Sequence, residues 1–270
     1  MRIGAAEFDT GKNTYIMGIL NVTPDSFSDG GRYNSVYAAL IHTEEMIEQG
    51  ADIIDIGAES TRPGHGGALP EDEELKRLIP VLDAIDVRFD IPISVDTYKS
   101  RTAQAALEHG ADLINDIWGL KYDSDMAGVI AKWQVPCCLM HNRKNAQYTD
   151  FIADVLSDMW ETLRIAEEAG IAPGNIILDP GIGFAKSLDQ NLSMLKHLDA
   201  FCGLGYPVLL GTSRKSVIGL TLGLETGDRL EGTLATTVIG VMAGCSFVRV
   251  HDVSENARAI RMTRAVLNAR

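Results

Sequence analysis

The sequence has too little positive charge to form a surface for nucleic acid. Its 270 residues contain 24 Lys and Arg against 37 Asp and Glu, which gives a formal net charge of −13. A nucleic-acid partner would require a basic stripe or patch, so this composition argues against one. Small anionic ligands are not excluded, but their pocket must concentrate cations locally against an unfavourable overall field.

The sequence also lacks the features of a membrane or secreted protein. No apolar signal-peptide core follows Met1, and the longest uncharged stretch, Gly232–Val248, is shorter than the roughly 20 residues needed to span a bilayer. We interpret this stretch as a buried helix followed by a strand. No C-x-x-C motif is present, so we expect reduced thiols and a cytoplasmic location without a membrane partner. The four cysteines are Cys137, Cys138, Cys202 and Cys245.

One pattern recurs along the chain: a short apolar run, a polar loop and an amphipathic helical stretch. No low-complexity linker interrupts it, so we predict a single domain over residues 1–270. Continuous apolar runs are typical of parallel strands buried on both faces. The predicted strands are Tyr15–Leu20, Asp52–Ile56, Pro92–Val95, Asp112–Ile114, Val135–Met140, Asn175–Leu178, Pro207–Leu210 and Ser246–Val250.

Eight strands alternating with helices favour a (β/α)₈ TIM barrel, an α/β fold that typically needs about 250 residues. A doubly wound open sheet is the alternative. At the N-terminus, Met1–Phe8 and Tyr15–Ile19 flank Asp9–Asn13, which predicts a β-hairpin at the barrel bottom. The predicted helices are Ser35–Gln49, Glu71–Phe89, Ser100–His109, Asp125–Lys132, Asp150–Ala169, Asp189–Leu198, Arg229–Ala243 and Glu255–Leu267.

Polar side chains follow the predicted strands at the ends where a barrel carries its chemistry. Asp96, Asn115 and Asp179 follow three different strands and can meet as two carboxylates and an amide. Such a set suits a flat heterocycle with several N–H donors, such as an amino-pyrimidinone. Two buried carboxylates are costly without a partner, and Lys215 is the cation that we expect to provide it.

A second group of residues at the strand ends suits an anion. Arg62, Arg249 and His251, together with nearby hydroxyls, are typical phosphate-binding groups. The side-chain oxygen of Asn21 can hold Mg²⁺. His141 also follows a strand, where a supporting or loop histidine is as good an interpretation as a site residue. Helix capping can instead explain Asp116, Asp252 and Ser216.

From Ile16 to the C-terminus the chain resembles the dihydropteroate synthase family, the folate-pathway enzymes that sulfonamides inhibit. Each motif alone is a weak signal, but the set is specific. One departure is Ala185, where the family usually has Gly before Lys186. The motifs are Gly18–Gly31, Gly57–Gly64, Ser94–Thr97, Ile114–Asp116, Asp179–Phe184, Gly211–Ser216 and Arg249–Val253.

The resemblance implies an enzyme that joins 4-aminobenzoate to 6-hydroxymethyl-7,8-dihydropterin diphosphate, releasing 7,8-dihydropteroate and diphosphate. It implies that Asp96, Asn115, Asp179, Lys215, Met140 and Gly211 hold the pterin. It implies that Asn21, Thr61, Arg62, Arg249 and His251 hold the diphosphate, with Mg²⁺ at Asn21. It implies that Phe27, Pro63, Phe184, Lys215 and Ser216 frame the aminobenzoate. The catalytic residues would be Asp96, Lys215 and Asp29, with Asp29 beside the reacting methylene.

The chemistry of the substrates predicts which step is difficult. An aryl amine is already neutral at pH 7, so it needs no strong base, and departure of the diphosphate becomes the hard step. We expect a dissociative, cation-like transition state, with Mg²⁺ and the cations stabilising the leaving group and Asp96 and Asp29 the pterin cation. The uncharged helix Gly232–Gly244 further predicts a homodimer face, as in the resembled family.

Two other functions share part of this pattern. A pterin-binding methyl-transfer module would use Asp96, Asn115 and Asp179, but it would not need Thr61–Pro63 or Ser213–Ser216. A non-catalytic paralogue could bind pterin as a regulator, although the intact set of cations argues against it. Release of diphosphate on addition of both substrates separates these three hypotheses.

Overall fold

The computed structural model of the chain describes residues 1–22, 31–59 and 69–269, with side chains from residue 36 onward in the helix that begins at Gly31. The strands are β1 (Arg2–Ile3), β2 (Ala6–Glu7), β3 (Tyr15–Asn21), β4 (Ile53–Gly57), β5 (Ile93–Asp96), β6 (Leu113–Asp116), β7 (Cys137–Met140), β8 (Ile176–Asp179), β9 (Leu209–Leu210) and β10 (Phe247–Val250). The helices are α1 (Gly31–Gln49), α2 (Glu71–Arg88), α3 (Ser100–Glu108), α4 (Met126–Trp133), α5 (Phe151–Ala169), α6 (Leu188–Lys196), α7 (Leu198–Cys202), α8 (Ser216–Leu222), α9 (Leu230–Ala243) and α10 (Val253–Leu267).

Strands β3 to β10 form one parallel sheet that curls into a nearly closed barrel. Their order is β8-β7-β6-β5-β4-β3-β10-β9, and a parallel bridge between Leu178 and Val208 joins the two ends of this series. Helices alternate with the strands along the chain. The predicted (β/α)₈ architecture is therefore confirmed. Among the described residues, no helix is both long and apolar enough to cross a membrane.

The strand register brings site residues into one row at the carboxyl ends of four adjacent strands. Asn21 pairs with Gly57, Gly57 with Asp96, and Asp96 with Asn115. Because all these strands run in the same direction, their last residues meet at the same rim of the barrel. The row places an amide, a carboxylate and a second amide at one level, with a glycine between the first two.

At the opposite rim of the barrel, two aspartates make the same kind of contact between neighbouring strands. Asp52 and Asp112, each following a Gly-Ala pair, stand at equivalent points before β4 and β6. The carboxylate of Asp52 accepts the N–H of Ile16 at 2.7 Å, and that of Asp112 accepts the N–H of Ile93 at 3.0 Å. Burial raises the pKa of both carboxyls. Each aspartate thus ties the start of its own strand to a neighbouring strand.

The N-terminal hairpin closes the barrel bottom, but it lies elsewhere than predicted. β1 pairs with β2 through Ile3 and Ala6, so the hairpin turn falls between these residues and not over Asp9–Asn13. Tyr15 begins a barrel strand, as the predicted strand Tyr15–Leu20 requires, and β4 and β10 pair along the two edges of that strand. The interior layer above the hairpin is apolar. It contains Ile3, Phe8, Met17, Ile53, Leu113, Cys138, Ile177, Leu209 and Phe247.

The sequence predictions omit helix α8. Its seven residues include Val217, Ile218 and Thr221, which are β-branched, and Gly219. All four residues have low helix propensity, so the local pattern is weak. The helix is held by tertiary contacts instead: Val217, Ile218 and Gly219 are buried against the rest of the domain. Its start places Lys215 at the barrel rim.

Candidate active site

The floor of the site is an ion-pair network between β4, β5 and β10. Nε of Arg249 lies 2.5 Å from Asp55 Oδ2, and Nη2 of Arg249 lies 2.8 Å from Asp96 Oδ2. The hydroxyl of Ser94 donates to the other Asp55 oxygen at 2.5 Å. Burial alone would lower the pKa of Arg249, but the carboxylates of Asp55 and Asp96 raise it above its usual value. The guanidinium is thus a fixed cation under the rim.

The Oδ1 atom of Asp96 is buried and has no hydrogen-bond partner among the described residues. Burial raises the pKa of Asp96 to about 7, against the opposing effect of Arg249. A buried polar atom without a partner costs free energy, so this oxygen is arranged to accept a hydrogen bond from a ligand.

Asp55 and Ser94 are site-floor residues that the sequence reasoning missed. Asn115 is a further neighbour of Asp55, since its Nδ2 lies 3.4 Å from Asp55 Oδ2. The signal was present in the sequence: Asp55 is a lone acid inside the apolar run of β4. A carboxylate in a strand buried on both faces requires a cation and hydrogen-bond donors. Its partner Arg249, however, is remote in sequence and could not be identified without the fold.

A second carboxylate and a cation face each other over Gly211. A Cβ atom built on Gly211 would lie 3.7 Å from Asp179 Oδ2 and 3.7 Å from Lys215 Nζ. Burial raises the pKa of Asp179, and Lys215 opposes that rise. Burial lowers the pKa of Lys215 to about 8, and Asp179 opposes that fall. Both groups therefore border one small space, as expected from the strand ends.

The turn that follows β8 positions Lys215. Asp179 Oδ1 accepts the N–H of Gly181 at 2.6 Å, and Lys215 Nζ donates to the carbonyl oxygen of Ile182 at 2.6 Å. The same ammonium lies 4.8 Å from the centre of the Phe184 ring, within range of a cation–π contact. Gly181 has a φ of +67°, and a Cβ there would collide with the carbonyl oxygen of His141, so no other residue fits this turn.

An apolar cluster separate from the main core lines the barrel mouth. It consists of Tyr98, Ile117 and Met140, with Trp118 and Phe184 packed against it. Met140 is 2% exposed and pairs in register with Asp179. Carboxylates beside flat apolar side chains are suited to hold a polar heteroaromatic ring.

Two of the three residues attributed to capping have clear roles. Asp116 accepts the N–H of Trp118 at 2.8 Å and that of Leu120 at 2.6 Å, which supports a local structural role. Asp252 does not cap α10, because its carboxylate is bound by the guanidinium of Arg214. Ser216 is exposed and is the first residue of α8, so Lys215 and not Ser216 occupies the capping position.

His251 lies at the end of β10, beyond Arg249. Its Nδ1 is 2.9 Å from the hydroxyl oxygen of Ser213, which also accepts the backbone N–H of His251 at 3.1 Å. A serine hydroxyl donates one hydrogen bond and accepts two, so Ser213 donates to Nδ1 or accepts from it according to the tautomer of His251.

The predicted magnesium ligand lies in the row of strand ends. A Cβ on Gly57 would be 3.9 Å from Asn21 Oδ1 and 3.8 Å from Asp96 Oδ2. No group of three or more His, Cys, Asp or Glu side chains in the described parts of the chain is arranged to hold a metal ion. This donor set fits Mg²⁺ only in the form in which the ion keeps waters and takes most other ligands from substrate phosphates.

Several predicted site residues lie outside the described residues. They are Phe27, Asp29, Thr61, Arg62 and Pro63. Glu59 and Leu69, the described residues on either side of 60–68, both bind Lys99, whose Nζ lies 2.6 Å from Glu59 Oε2 and 2.6 Å from the carbonyl oxygen of Leu69. The sequence reasoning did not single out Lys99 or Glu59.

His141 is a buried supporting residue. It is 2% exposed, and its Nε2 lies 2.9 Å from Asp158 Oδ2 while its Nδ1 lies 2.8 Å from Lys186 Nζ. Burial lowers the pKa of His141 to about 4, although Asp158 opposes that fall. Arg143 also binds Asp158, with Nε 2.6 Å from Oδ2. His141 therefore reaches the turn after β8 through Lys186, which donates to the carbonyl oxygen of Gly181.

Comparison with known proteins yields close relatives. The family of pterin-binding enzymes matches residues 17–251. The dihydropteroate synthase of Clostridium beijerinckii is 58% identical over 268 residues, covering 99% of each chain. That of Bacillus subtilis is 55% identical over 257 residues, covering 95% of this chain and 90% of the relative.

Solved structures give the same result. A dihydropteroate synthase from Clostridium difficile, solved in the presence of pteroic acid, superposes with a TM-score of 0.94 at 51% identity, covering 97% of this chain and 100% of the other. The Xanthomonas albilineans dihydropteroate synthase in complex with 7,8-dihydropteroate gives 0.88 at 40% identity, covering 96% and 95%. The same enzyme with 4-aminobenzoic acid gives 0.91 at 42% identity, covering 96% and 94%.

Proposed function

The chain belongs to the pterin-binding enzyme family and is a dihydropteroate synthase, and we propose that it works by stabilising a dissociative transition state. The resemblance read from the motifs is thus confirmed. The reaction condenses 4-aminobenzoate with the dihydropterin methyl diphosphate to give 7,8-dihydropteroate and diphosphate. The observation that carries the proposal is the unpartnered, buried Oδ1 of Asp96, beside a fixed guanidinium.

The pterin would bind through its ring N–H groups. Asp96 Oδ1 and Asp179 Oδ2 are the acceptors for those donors, and Asn115 supplies an amide at the same level. Met140 and Gly211 would border the flat ring, and Lys215 would donate to a ring acceptor. As the diphosphate leaves, positive charge develops on the pterin methylene, and the Asp96 carboxylate would stabilise it electrostatically. Asp29, by the family resemblance, would act beside the methylene.

The diphosphate would leave toward cationic donors. Arg249 uses Nε and Nη2 for its two aspartates, which leaves Nη1 to donate to a phosphate oxygen. His251 would contact the diphosphate through its imidazole ring, with Thr61 and Arg62 as further contacts implied by the resemblance. Asn21 would provide one oxygen to Mg²⁺, and the bound ion would neutralise charge on the leaving group.

The aminobenzoate would bind between Phe184, Lys215 and Ser216, with Phe27 and Pro63 implied by the resemblance. Lys215 and Phe184 are already in contact, and Ser216 lies at the exposed start of α8. A carboxylate substrate suits an ammonium and hydroxyl at this rim. We expect the diphosphate substrate to bind first, because its charges organise the site for the amine.

We also propose a homodimer in the cytoplasm. Exposed apolar side chains lie on the last helices, including Ile239 and Met242 on α9 and Met262 on α10, which are 43%, 65% and 66% exposed. A second copy of the chain would cover them. Met242→Glu should then convert a dimeric mass to a monomeric one in analytical ultracentrifugation, and a wild-type monomer at micromolar concentration would contradict the proposal. Four free thiols are consistent with a reducing compartment.

Diphosphate release tests the function directly. The purified chain is mixed with the pterin diphosphate, with and without 4-aminobenzoate and Mg²⁺, and free diphosphate is measured by a coupled assay. We expect rapid release only when both substrates and Mg²⁺ are present, together with formation of 7,8-dihydropteroate. Absence of aminobenzoate-dependent release would instead favour a pterin-binding regulator.

A further inference from the structure

Lys186 binds the turn after β8 at both of its ends. Its Nζ lies 2.8 Å from His141 Nδ1, 2.9 Å from the carbonyl oxygen of Gly181 and 3.1 Å from that of Phe184. The carbonyl oxygen of His141 is a fourth acceptor at 3.5 Å. In its ammonium form Lys186 has three protons and no lone pair, so it donates to Nδ1 of His141, and the proton of a neutral ring is then on Nε2.

The environment of His141 supports that tautomer. Nε2 lies 2.9 Å from Asp158 Oδ2, which accepts the ring proton, and the low pKa of His141 keeps the ring neutral at pH 7. Arg143 also donates to both carboxylate oxygens of Asp158. Burial lowers the pKa of Lys186 to about 7, while Asp179 favours its charged form. A neutral His141 ring accepts a hydrogen bond from Lys186, so these two basic side chains can be in contact while buried without repulsion between two positive charges.

The clamped turn is also the turn that positions Lys215. Gly181 and Phe184, whose carbonyl oxygens bind Lys186, stand on either side of Ile182 and Gly183. The carbonyl oxygen of Ile182 accepts from Lys215 Nζ, and the Phe184 ring contacts the same ammonium. A shift of the turn would therefore move two contacts of Lys215 at once.

We propose that Lys186 and His141 are positioning residues for the dihydropteroate synthase reaction, which act through the Gly181–Phe184 turn to place Lys215 and Phe184. This proposal rests on the function given above. Neither side chain is among those that we assign to the substrates. Lys186 binds the turn, His141 binds Lys186, and the turn contacts Lys215 and carries Phe184, which we assign to the subsites.

Two substitutions of His141 separate this role from a merely structural one. Asparagine places its side-chain oxygen near the position of Nδ1, so His141→Asn can still accept from Lys186 but loses Asp158. Glutamine places its amide nitrogen near Nε2, so His141→Gln can still donate to Asp158 but loses Lys186. If Lys186 is the partner that matters, the dissociation constant of 7,8-dihydropteroate rises about tenfold in His141→Gln and less than about threefold in His141→Asn. The reverse order would overturn the proposal.

The coupling to Lys215 provides a second test. Lys186→Met should weaken 7,8-dihydropteroate binding about tenfold in the wild-type background but less than about twofold in a Lys215→Met background, because the clamp acts through Lys215. The matched control is Lys121→Met, which removes a lysine that donates to the carbonyl oxygen of Asp158 in α5, and it should leave binding unchanged.

The results test the positioning role of Lys186 and the proposed function separately. Equal losses from Lys186→Met in the two backgrounds would overturn the positioning role. A wild-type chain that fails to bind 7,8-dihydropteroate would overturn the proposed function instead. Thermal unfolding of each variant is measured alongside, and the His141→Asn and His141→Gln pair decides the question if Lys186→Met does not fold.

Discussion

The carboxylate of Asp55 and the guanidinium of Arg249 meet inside the barrel with 2.5 Å between Oδ2 and Nε, although 194 residues separate them in sequence. The side chain of Asp55 is fully buried and that of Arg249 is 18% exposed. Asp55 therefore holds the cation that we assign to the leaving diphosphate. The contact also joins β4 to β10 on opposite sides of β3.

Asp55→Asn should destabilise the fold strongly. The substitution keeps the shape of the side chain but removes the charge opposite a buried guanidinium, which costs about 3 kcal/mol of the free energy of unfolding. Urea unfolding measures this loss. Asp252→Asn is the matched control, since it breaks another aspartate–arginine pair, to Arg214, whose guanidinium is 38% exposed. The Asp252–Arg214 pair is more exposed to solvent than the Asp55–Arg249 pair, so its loss should cost less, and equal losses in the two variants would contradict the assignment.

Asp96→Asn should change how stability depends on pH. The pKa of Asp96 is raised from 3.8 to about 7 in the ligand-free fold, mainly by burial. Between these values the folded chain keeps a proton that the unfolded chain has released, so this carboxyl makes the fold less stable as pH rises from about 4 to 7. Asparagine cannot titrate. The wild-type free energy of unfolding should therefore fall relative to that of the variant across this window, and parallel pH profiles would refute the prediction.

The same variant should lose turnover. An amide keeps a carbonyl acceptor for the pterin but cannot stabilise the cation that forms as diphosphate departs. Removal of one such electrostatic contact lowers kcat about a hundredfold. Single-turnover release of diphosphate at saturating substrate measures the effect, and full activity in Asp96→Asn would remove this carboxylate from the mechanism.

Gly211→Ala should weaken binding of the pterin diphosphate without lowering the stability of the fold. A Cβ at this position makes ordinary contacts of 3.7 Å with Asp179 Oδ2 and Lys215 Nζ, so the fold tolerates it. The methyl group would nevertheless occupy the space where the pterin ring lies between these groups, and KM for the pterin diphosphate should rise about tenfold. Gly128→Ala on α4 is the control, because a Cβ there meets nothing within 4 Å. A normal KM in Gly211→Ala would place the pterin elsewhere.

The strand-end pattern predicted most of the rim because barrel topology determines it. Asp96, Asn115 and Asp179 each follow an apolar run, and parallel strands bring all such ends to one side whatever the loops do. The same logic could not find Asp55. It lies within β4, and its role depends on which of the two faces of the strand points into the barrel and which distant side chain faces it.

The contacts of the turn after β8 were also beyond the sequence pattern. Lys186 and His141 meet because Gly181 adopts a positive φ and packs against the carbonyl oxygen of His141. No local periodicity encodes that approach. The predicted hairpin turn was wrong for a similar reason: the polar run Asp9–Asn13 resembles a hairpin loop locally, but the two strands of the hairpin pair within Met1–Phe8, where Ile3 faces Ala6.

Ala185→Gly should stabilise the chain without changing its activity. Ala185 has a φ of +44°, in the left-handed region that is strained for a residue with a Cβ, and it stands where the resembled family usually has Gly. Its carbonyl oxygen accepts from the Tyr148 hydroxyl at 2.9 Å, a backbone contact that glycine retains. Relief of the strain, less the added freedom of the unfolded chain, should raise the free energy of unfolding by about 1 kcal/mol.

Ala259→Gly is the matched control for Ala185→Gly, since Ala259 lies within α10. Glycine in a helix interior lowers stability by about 1 kcal/mol, so the two identical substitutions should act in opposite directions. Thermal and urea unfolding of both variants give the sign. A loss of stability in Ala185→Gly would mean that the positive φ carries no strain, and that this departure from the family pattern has another physical cause.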